Sequence, residues 1–325
     1  MKLLLLSAQD LRAALPMPAA IAAMKSAFAA LSTGQATVPL RIAMSVAPVE
    51  GLSLFMPAFL PGSGLGAKIV SVFPRNAQRV KPIIHGLVVV LDPTTGEPVA
   101  LCDGTFLTAW RTGAASGAAT DLLARPEAKT AALLGCGAQA RTQALAIDAV
   151  RALDIVRVYA STPAHVQAFV LEMQSQLSVR LEAASSSAEA VRDADVICAA
   201  TTSATPVFDG ALLKPGAHVN GVGSYTTHMQ EVDAAAVSRA RIFVDARSSA
   251  LAEAGDLVIP LNAGQTRLED WTELGEVVAG LKPGRQSPDE VTFFKSVGVA
   301  VQDVAAAGQA LEAARRLGLG KVVEF

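Results

Sequence analysis

From Lys129 onward, short apolar runs alternate with longer segments whose apolar residues recur at helical spacing. The runs Thr130–Leu134, Ile155–Tyr159, Val179–Glu182, Val196–Ala199, His218–Val222 and Ile242–Val244 predict six strands, with helical segments between most of them. Strands joined by helical crossovers run parallel, so the expectation is an α/β fold with a doubly wound parallel sheet. Residues 36–125 have another rhythm. Leu52–Met56, Ala67–Val72, Gly86–Leu91 and Pro98–Cys102 are apolar runs punctuated by Gly and Pro, which predicts a small sheet. Asp92-Pro93-Thr94-Thr95-Gly96 is a turn between two of those strands. Helical periodicity is expected over residues 1–34, with Pro16 and Pro18 near a helix start and Gly34 as its stop. Phe106–Leu123 and roughly Gln302–Leu317 are Ala-rich and helical. The last helix has the length to pack back onto the first sheet. The predicted division is a discontinuous α+β domain, residues 1–116 and 300–325, with 117–299 inserted as the α/β domain.

Composition narrows the function classes. The 325 residues are 51% hydrophobic, with a net charge of −2 and no basic block. Nucleic acid and anionic membrane are therefore not expected partners. No run of about 18 apolar residues lacks a charge or a breaker, so no transmembrane helix is expected. Leu3–Leu6 is too short for a signal-peptide core, and Asp10 and Arg12 follow it closely. Cys102, Cys136 and Cys198 lie far apart in apolar segments, with neither metal-ligand spacing nor a disulfide framework. His165, His218 and His228 show no metal spacing either, so no metal is assigned. The expected compartment is the cytoplasm.

The strand at Thr130–Leu134 ends in Gly135-Cys136-Gly137-Ala138-Gln139-Ala140, and Arg141–Ala149 then reads as a helix. This is the strand–turn–helix setting of a dinucleotide-binding fingerprint in a Rossmann domain. Gly135 allows the tight turn, Gly137 lets backbone approach a pyrophosphate, and Ala140 lets helix and strand pack closely. The helix N-terminus presents free N–H groups to the phosphates. NAD-preferring folds usually carry Asp or Glu at the end of the second strand. Here that place reads Tyr159-Ala160-Ser161-Thr162-Pro163, with no carboxylate from Ile155 to Leu171. Ser161 and Thr162 either donate to a 2′-phosphate or cap a helix. The balance leans slightly to NADPH over NADH. Thr201-Thr202-Ser203 and Asn220-Gly221-Val222-Gly223-Ser224-Tyr225 follow the fourth and fifth strands, at the strand ends where such folds bind ligands. Their small side chains suit backbone approach to ribose or nicotinamide, although turn chemistry alone also selects them.

The chain resembles the ornithine cyclodeaminase / mu-crystallin family along nearly its whole length. The resemblance is carried by Arg41, Gly66-Ala67-Lys68, His85-Gly86, Asp92-Pro93-x-x-Gly96-x-Pro98, Thr108-Ala109-Trp110-Arg111-Thr112-Gly113-Ala114, the glycine fingerprint, Thr201-Thr202, and Ser296-Val297-Gly298-x-Ala300-x-Gln302-Asp303. It implies a homodimer of two-domain chains that bind NAD(H) or NADP(H). It also implies a substrate-binding and dimerisation role for the discontinuous domain. Thr112, Val297, Gly298 and Asp303 are implied as cofactor contacts. Where the family's cyclodeaminases carry an Asp, this chain has Tyr225. The stretch Gly223-Ser224-Tyr225-Thr226 before Met229-Gln230-Glu231-Val232-Asp233 looks like the branch that reduces Δ1-pyrroline-2-carboxylate to L-proline and Δ1-piperideine-2-carboxylate to L-pipecolate.

Ketimine reduction asks little of a protein. It must hold a carboxylate, aim the imine carbon at the cofactor and supply or retain one proton. A deaminase must also activate water, which favours a carboxylate base, and none stands at the expected place. Arg41 and Arg111 match family positions that hold substrate. Arg111 sits in an apolar helix and needs a partner. It is either a carboxylate clamp or half of an internal salt bridge, for example with Asp103. Arg41 is a clamp or a solvated arginine. Lys68 opens an apolar strand, as a proton donor of shifted pKa or as a snorkelling edge lysine. His85 contacts substrate, relays a proton or is structural. Asp303 is a cofactor contact or only a cap of its helix. Ser224 or Tyr225 would line the substrate pocket. The rivals are an ornithine cyclodeaminase or alanine dehydrogenase on the same scaffold, and an NADP(H)-binding protein with little turnover.

Overall fold

Lys2–Leu6 forms a strand, not the start of the helical region expected over residues 1–34. Four consecutive leucines carry no period of their own, and pairing partners distant in sequence decided the outcome. The computed structural model describes residues 1–324. The chain divides into two compact units, Met1–Arg111 with the segment from Val299 onward, and Thr112–Gly298.

The first unit contains β1 (Lys2–Leu6), α1 (Ala8–Ala14), α2 (Met17–Ser32), β2 (Ile42–Val46), β3 (Gly51–Leu60), β4 (Gly64–Val72), β5 (Ile84–Leu91), β6 (Pro98–Asp103) and the first part of α3 (Gly104–Leu123). Strands β2 to β6 form an antiparallel meander, and β1 joins β6 in parallel. Pro57 is tolerated inside β3 because the ladder to β2 ends at Phe55. All four expected strands extend past their apolar runs, β3 and β4 the most, and the largely exposed edge strand β2 was not among them. Alternation sorts the sheet's faces. Met56, Ala58, Leu60, Lys68, Val70, Val88 and Val90 are buried on one face. On the other, Ile42, Phe55, Ile69 and Leu87 stand side by side in register.

The second unit contains the rest of α3, then β7 (Thr130–Leu134), α4 (Ala138–Val150), β8 (Ile155–Tyr159), α5 (Pro163–Gln174), β9 (Arg180–Ala183), α6 (Ser187–Val191), β10 (Val196–Ala199), β11 (His218–Gly221), α7 (Ala234–Arg239), β12 (Ala240–Val244), α8 (Arg247–Glu253), α9 (Gly255–Asn262), β13 (Thr272–Glu273), α10 (Leu274–Val278) and β14 (Val291–Lys295). All eight strands are parallel, in the order β13-β12-β14-β11-β10-β7-β8-β9. The chain winds outward through β8 and β9, then returns to place β10 beside β7, which makes that pair the switch point. The fold class is thus α/β with a doubly wound parallel sheet. Burial on both faces explains the continuous apolar runs. Ala131 and Leu133 pack into one core with Ala140, Ala144 and Ile147 of α4, while Ala132 and Leu134 face the other core.

Six strands were expected in this sheet and eight are present. The added β14 lies between β11 and β12 and is buried at every position. Thr292 and Lys295 disguise it as polar sequence, and Lys295 is tolerated there because a buried carboxylate meets it.

The chain then returns to the first unit through α11 (Ala300–Leu317) and β15 (Lys321–Glu324). Helix α11 packs with α2 over the buried faces of β3, β4 and β5, and β15 closes the sheet beside β1. Among the described residues no single helix is long and apolar enough to cross a membrane.

Candidate functional site

The glycine turn lies at the switch point of the parallel sheet. Gly135 has φ +112°, and a Cβ there would stand 2.5 Å from the Ala200 carbonyl, so the turn after β7 requires glycine. Gly137 is the N-cap of α4 and supplies no side-chain cap, and a Cβ there would meet nothing within 4 Å. The first turn of α4, with Ala138 and Gln139, therefore opens onto free space with its peptide N–H groups unspent. In front of it is a cleft of about 560 Å³, lined by Gly135, Cys136, Gly137, Tyr159, Ala160, Ser161, Ser187 and Thr201–Ser203 among others. No carboxylate lines it. A helix N-terminus behind two glycines, beside a hydroxyl-lined wall, fits the pyrophosphate and ribose of a dinucleotide.

Thr162 stands at the N-cap of α5 but makes no capping bond with its side chain, so helix capping does not account for it. Thr202 lines the cleft.

Several expected cofactor residues are held from inside the protein. Glu231 is fully buried. Its Oε1 accepts from the Thr201 N–H and hydroxyl, each at 2.6 Å, and its Oε2 accepts from the Gly223 N–H at 2.5 Å. Val222 N–H donates to Ala199 O at 2.9 Å. The Ser203 hydroxyl donates to Thr205 O at 2.7 Å. Asp245, also fully buried, accepts at one oxygen from Val297 N–H at 2.9 Å and Gly298 N–H at 2.7 Å. The peptide donors of Thr201, Val222, Gly223, Val297 and Gly298 are thus committed to the protein. A third buried carboxylate, Asp256, accepts from Ser224 Oγ and Lys295 Nζ at one oxygen, both at 2.7 Å. At the other it accepts from the N–H groups of Glu231 and Val232, at 2.6 and 3.0 Å. Ser224 is fully buried in this network, so it is not the pocket-lining hydroxyl expected of it, whereas Tyr225 is 52% exposed. Burial pushes the Glu231 carboxyl above its ordinary range, and the Lys295 ammonium opposes that shift. Sequence gave Glu231, Asp245, Asp256 and Lys295 no role, because their partners lie up to 71 residues away.

The first unit holds a different ionic cluster. Lys68 projects from β4 into the buried face, and Arg111 from α3 is almost as buried. Both meet Asp303 on α11. Its Oδ2 is 2.8 Å from Lys68 Nζ, and its Oδ1 accepts from Arg111 Nε at 2.9 Å. Gln302 Oε1 accepts from Arg111 Nη1 at 2.7 Å. Arg111 therefore pairs internally, with Asp303 and not with Asp103. Asp103 instead accepts the Phe106 N–H at the start of α3, at 2.9 Å. Asp303 is fully buried between two cations, so it neither caps α11 nor offers a surface for cofactor contact. Burial and the Arg111 charge lower the Lys68 pKa to about 8, against the opposing pull of Asp303, and Arg41 adds to the lowering.

Arg41 is half-buried before β2, close enough for its charge to act on Lys68. His85 is exposed on β5, in register with Ser71 of β4. Thr112 is buried on α3, where its carbonyl accepts from Gln143 Nε2 at 3.4 Å. No group of three His, Cys, Asp or Glu side chains suited to a metal occurs among the described residues.

A Δ1-pyrroline-2-carboxylate reductase of Bacillus cereus is 38% identical over 326 residues, covering 99% of this chain and all of that protein. The structure of Thermococcus litoralis Δ1-pyrroline-2-carboxylate reductase in complex with NADH and L-proline superposes with a TM-score of 0.93 at 39% identity, covering 98% of this chain and 99% of that one. An archaeal alanine dehydrogenase dimer with bound NAD matches with a TM-score of 0.92 at 32% identity over the full length of both. The profile of the ornithine cyclodeaminase/mu-crystallin family matches residues 1–317, and the chain belongs to that family.

Proposed function

We propose that this chain is an NAD(P)H-dependent reductase of cyclic ketimine carboxylates, converting Δ1-pyrroline-2-carboxylate to L-proline and Δ1-piperideine-2-carboxylate to L-pipecolate. The observation that carries this reading is a buried pair of cations in the first unit: Lys68 and Arg111 share one carboxylate, Asp303. An under-neutralised buried cluster is stable when an anion completes it. The chemistry of the relatives points to a ring carboxylate as that anion.

When bound, a reduced nicotinamide would supply the hydride for the imine carbon. The glycine turn, the first turn of α4 and the hydroxyl-lined wall at Ser161 and Thr202 would hold its phosphates and riboses, with Thr162 following Ser161 at the N-cap of α5. Arg111 makes its hydrogen bonds through Nε and Nη1, which leaves Nη2 for the substrate carboxylate. Arg41 supplies a second positive group. Lys68, with its pKa lowered to about 8, keeps or delivers the proton at the ring nitrogen as the carbon is reduced. Asp303 orients both cations.

The absence of a carboxylate at Tyr225 favours reduction over water-dependent deamination. The cleft's lack of acidic residues favours acceptance of NADPH beside NADH, since a 2′-phosphate meets no like charge there. The exposed apolar ladder Ile42, Ile69 and Leu87 suits a homodimer, the state described for the archaeal alanine dehydrogenase. A reduced cofactor and three free cysteines suit the cytoplasm.

The test is oxidation of NADPH and NADH, read by nicotinamide absorbance, with each imine, beside ammonia release from L-ornithine. Imine-dependent oxidation with a silent ornithine control is expected. Ammonia release with silent imines would overturn the reading.

A further inference from the structure

The parallel sheet presents its nucleotide-side loops in two constructions. The turn after β7 is bare backbone. The loops after β10 and β11 are bound to each other by one buried side chain, Glu231, which touches Thr201 on one loop and Gly223 on the other. The two loops are also in closest packing, because a Cβ on Gly223 would lie 2.0 Å from the Thr201 carbonyl. Glu231 is itself fixed, its N–H donating to Asp256, and Asp256 is held by Ser224 and Lys295.

We propose that Glu231 is a positioning residue for the dinucleotide, setting the Thr201–Ser203 wall of the cleft against the loop after β11. The inference rests on the reading that this cleft takes NAD(P)H. The physical reason is donor bookkeeping. Three donors converge on the Glu231 carboxylate from two chain segments, and both oxygens are acceptors only while the group is a carboxylate. A glutamine of the same length keeps one acceptor and turns an N–H₂ group toward the other donor. One of the two loops is then released, while the apolar core around β10 and β11 is unchanged. The wall loses its fixed place, and dinucleotide affinity falls although no cofactor-touching atom has been altered.

The test uses the full chain and its Glu231→Gln variant, with NADH and NADPH affinity read by fluorescence quenching, thermal unfolding, and steady-state kinetics with Δ1-pyrroline-2-carboxylate. The expected result is a cooperative melt, dinucleotide Kd and KM raised about tenfold, and imine KM changed by less than about twofold, as loss of a charge-assisted bond at one ligand's wall requires. A folded variant with unchanged dinucleotide affinity overturns the proposal. So does a parallel loss of dinucleotide and imine affinity with a lowered melt, which is what general loosening would give. Should Glu231→Gln fail to fold, Glu231→Asp keeps the carboxylate but shortens it, so that it cannot reach Thr201 and Gly223 together. An affinity loss of about threefold then supports the proposal, and no loss overturns it. If the unaltered chain binds neither dinucleotide, the reductase reading fails and takes this inference with it.

Discussion

Two buried ionic clusters, one in each unit, have opposite balances. In the first unit Lys68 and Arg111 share Asp303 as their carboxylate, among the described residues. In the second, Lys295 meets Asp256, with Glu231 close by, and those carboxylates also collect peptide and hydroxyl donors from several chain segments. The second cluster is closed: each carboxylate oxygen named has a donor, and its work is to tie loops. The first has more positive charge than its own residues neutralise. A buried charge without a partner is costly, so on the proposed function that cluster serves as half of a binding site and the other as scaffolding. Cation count and donor satisfaction separate the two where burial and residue type do not.

The largest expected effect comes from removing each cluster's carboxylate. Asp303→Ala leaves two cations uncompensated and is expected to lower unfolding free energy by about 3–5 kcal/mol. Added L-proline should restore part of that loss in urea unfolding. Asp256→Ala should destabilise comparably, but L-proline should restore nothing, since Lys295 is fully enclosed. Equal rescue of both variants would erase the distinction between an open and a closed cluster.

Arg111→Lys keeps the charge and loses the planar fork. Imine kcat/KM is expected to fall about a hundredfold, with dinucleotide KM little changed. A purely structural Arg111 would instead affect both constants alike.

The Lys68 pKa of about 8 gives a signed pH dependence. On the proposed function the protonated form is the donor, so kcat/KM should hold below that pH and fall about tenfold per unit above it. Lys68→Arg should remove this limb and lower kcat strongly, because a guanidinium stays protonated and is a poor proton donor. In stability the sign is opposite. Burial lowers the folded pKa from 10.5 to about 8, so the unfolded chain alone holds the proton between those values. Unfolding free energy should then rise with pH across that window, by roughly 3 kcal/mol at most.

The smallest effect sharpens the assignment of partners. Asp103→Ala removes the carboxylate that accepts Phe106 N–H at the start of α3, and should cost about 1 kcal/mol. Imine KM should be unchanged, because Arg111 pairs with Asp303.

The alternation of apolar runs and helical segments was enough to indicate a parallel sheet, since strands joined by helical crossovers run parallel and are buried on both faces. The glycine turn was equally legible, because strand, turn and helix are contiguous and each glycine has a local reason. Arg111 and Lys68 stood out as charges in apolar surroundings. Only tertiary structure decided what meets them. Asp303 lies 192 residues from Arg111, and Asp103 was nearer in sequence but is spent on its own helix. β14 was hidden by Lys295, whose charge is acceptable only because Asp256 arrives from α9. Glu231 was just another acidic residue until folding brought Thr201 and Gly223 to its two oxygens. Local pattern fixes what each segment becomes, through backbone geometry and the period of burial. Which charges neutralise one another depends on distances across the fold, and those exist only once the chain has closed.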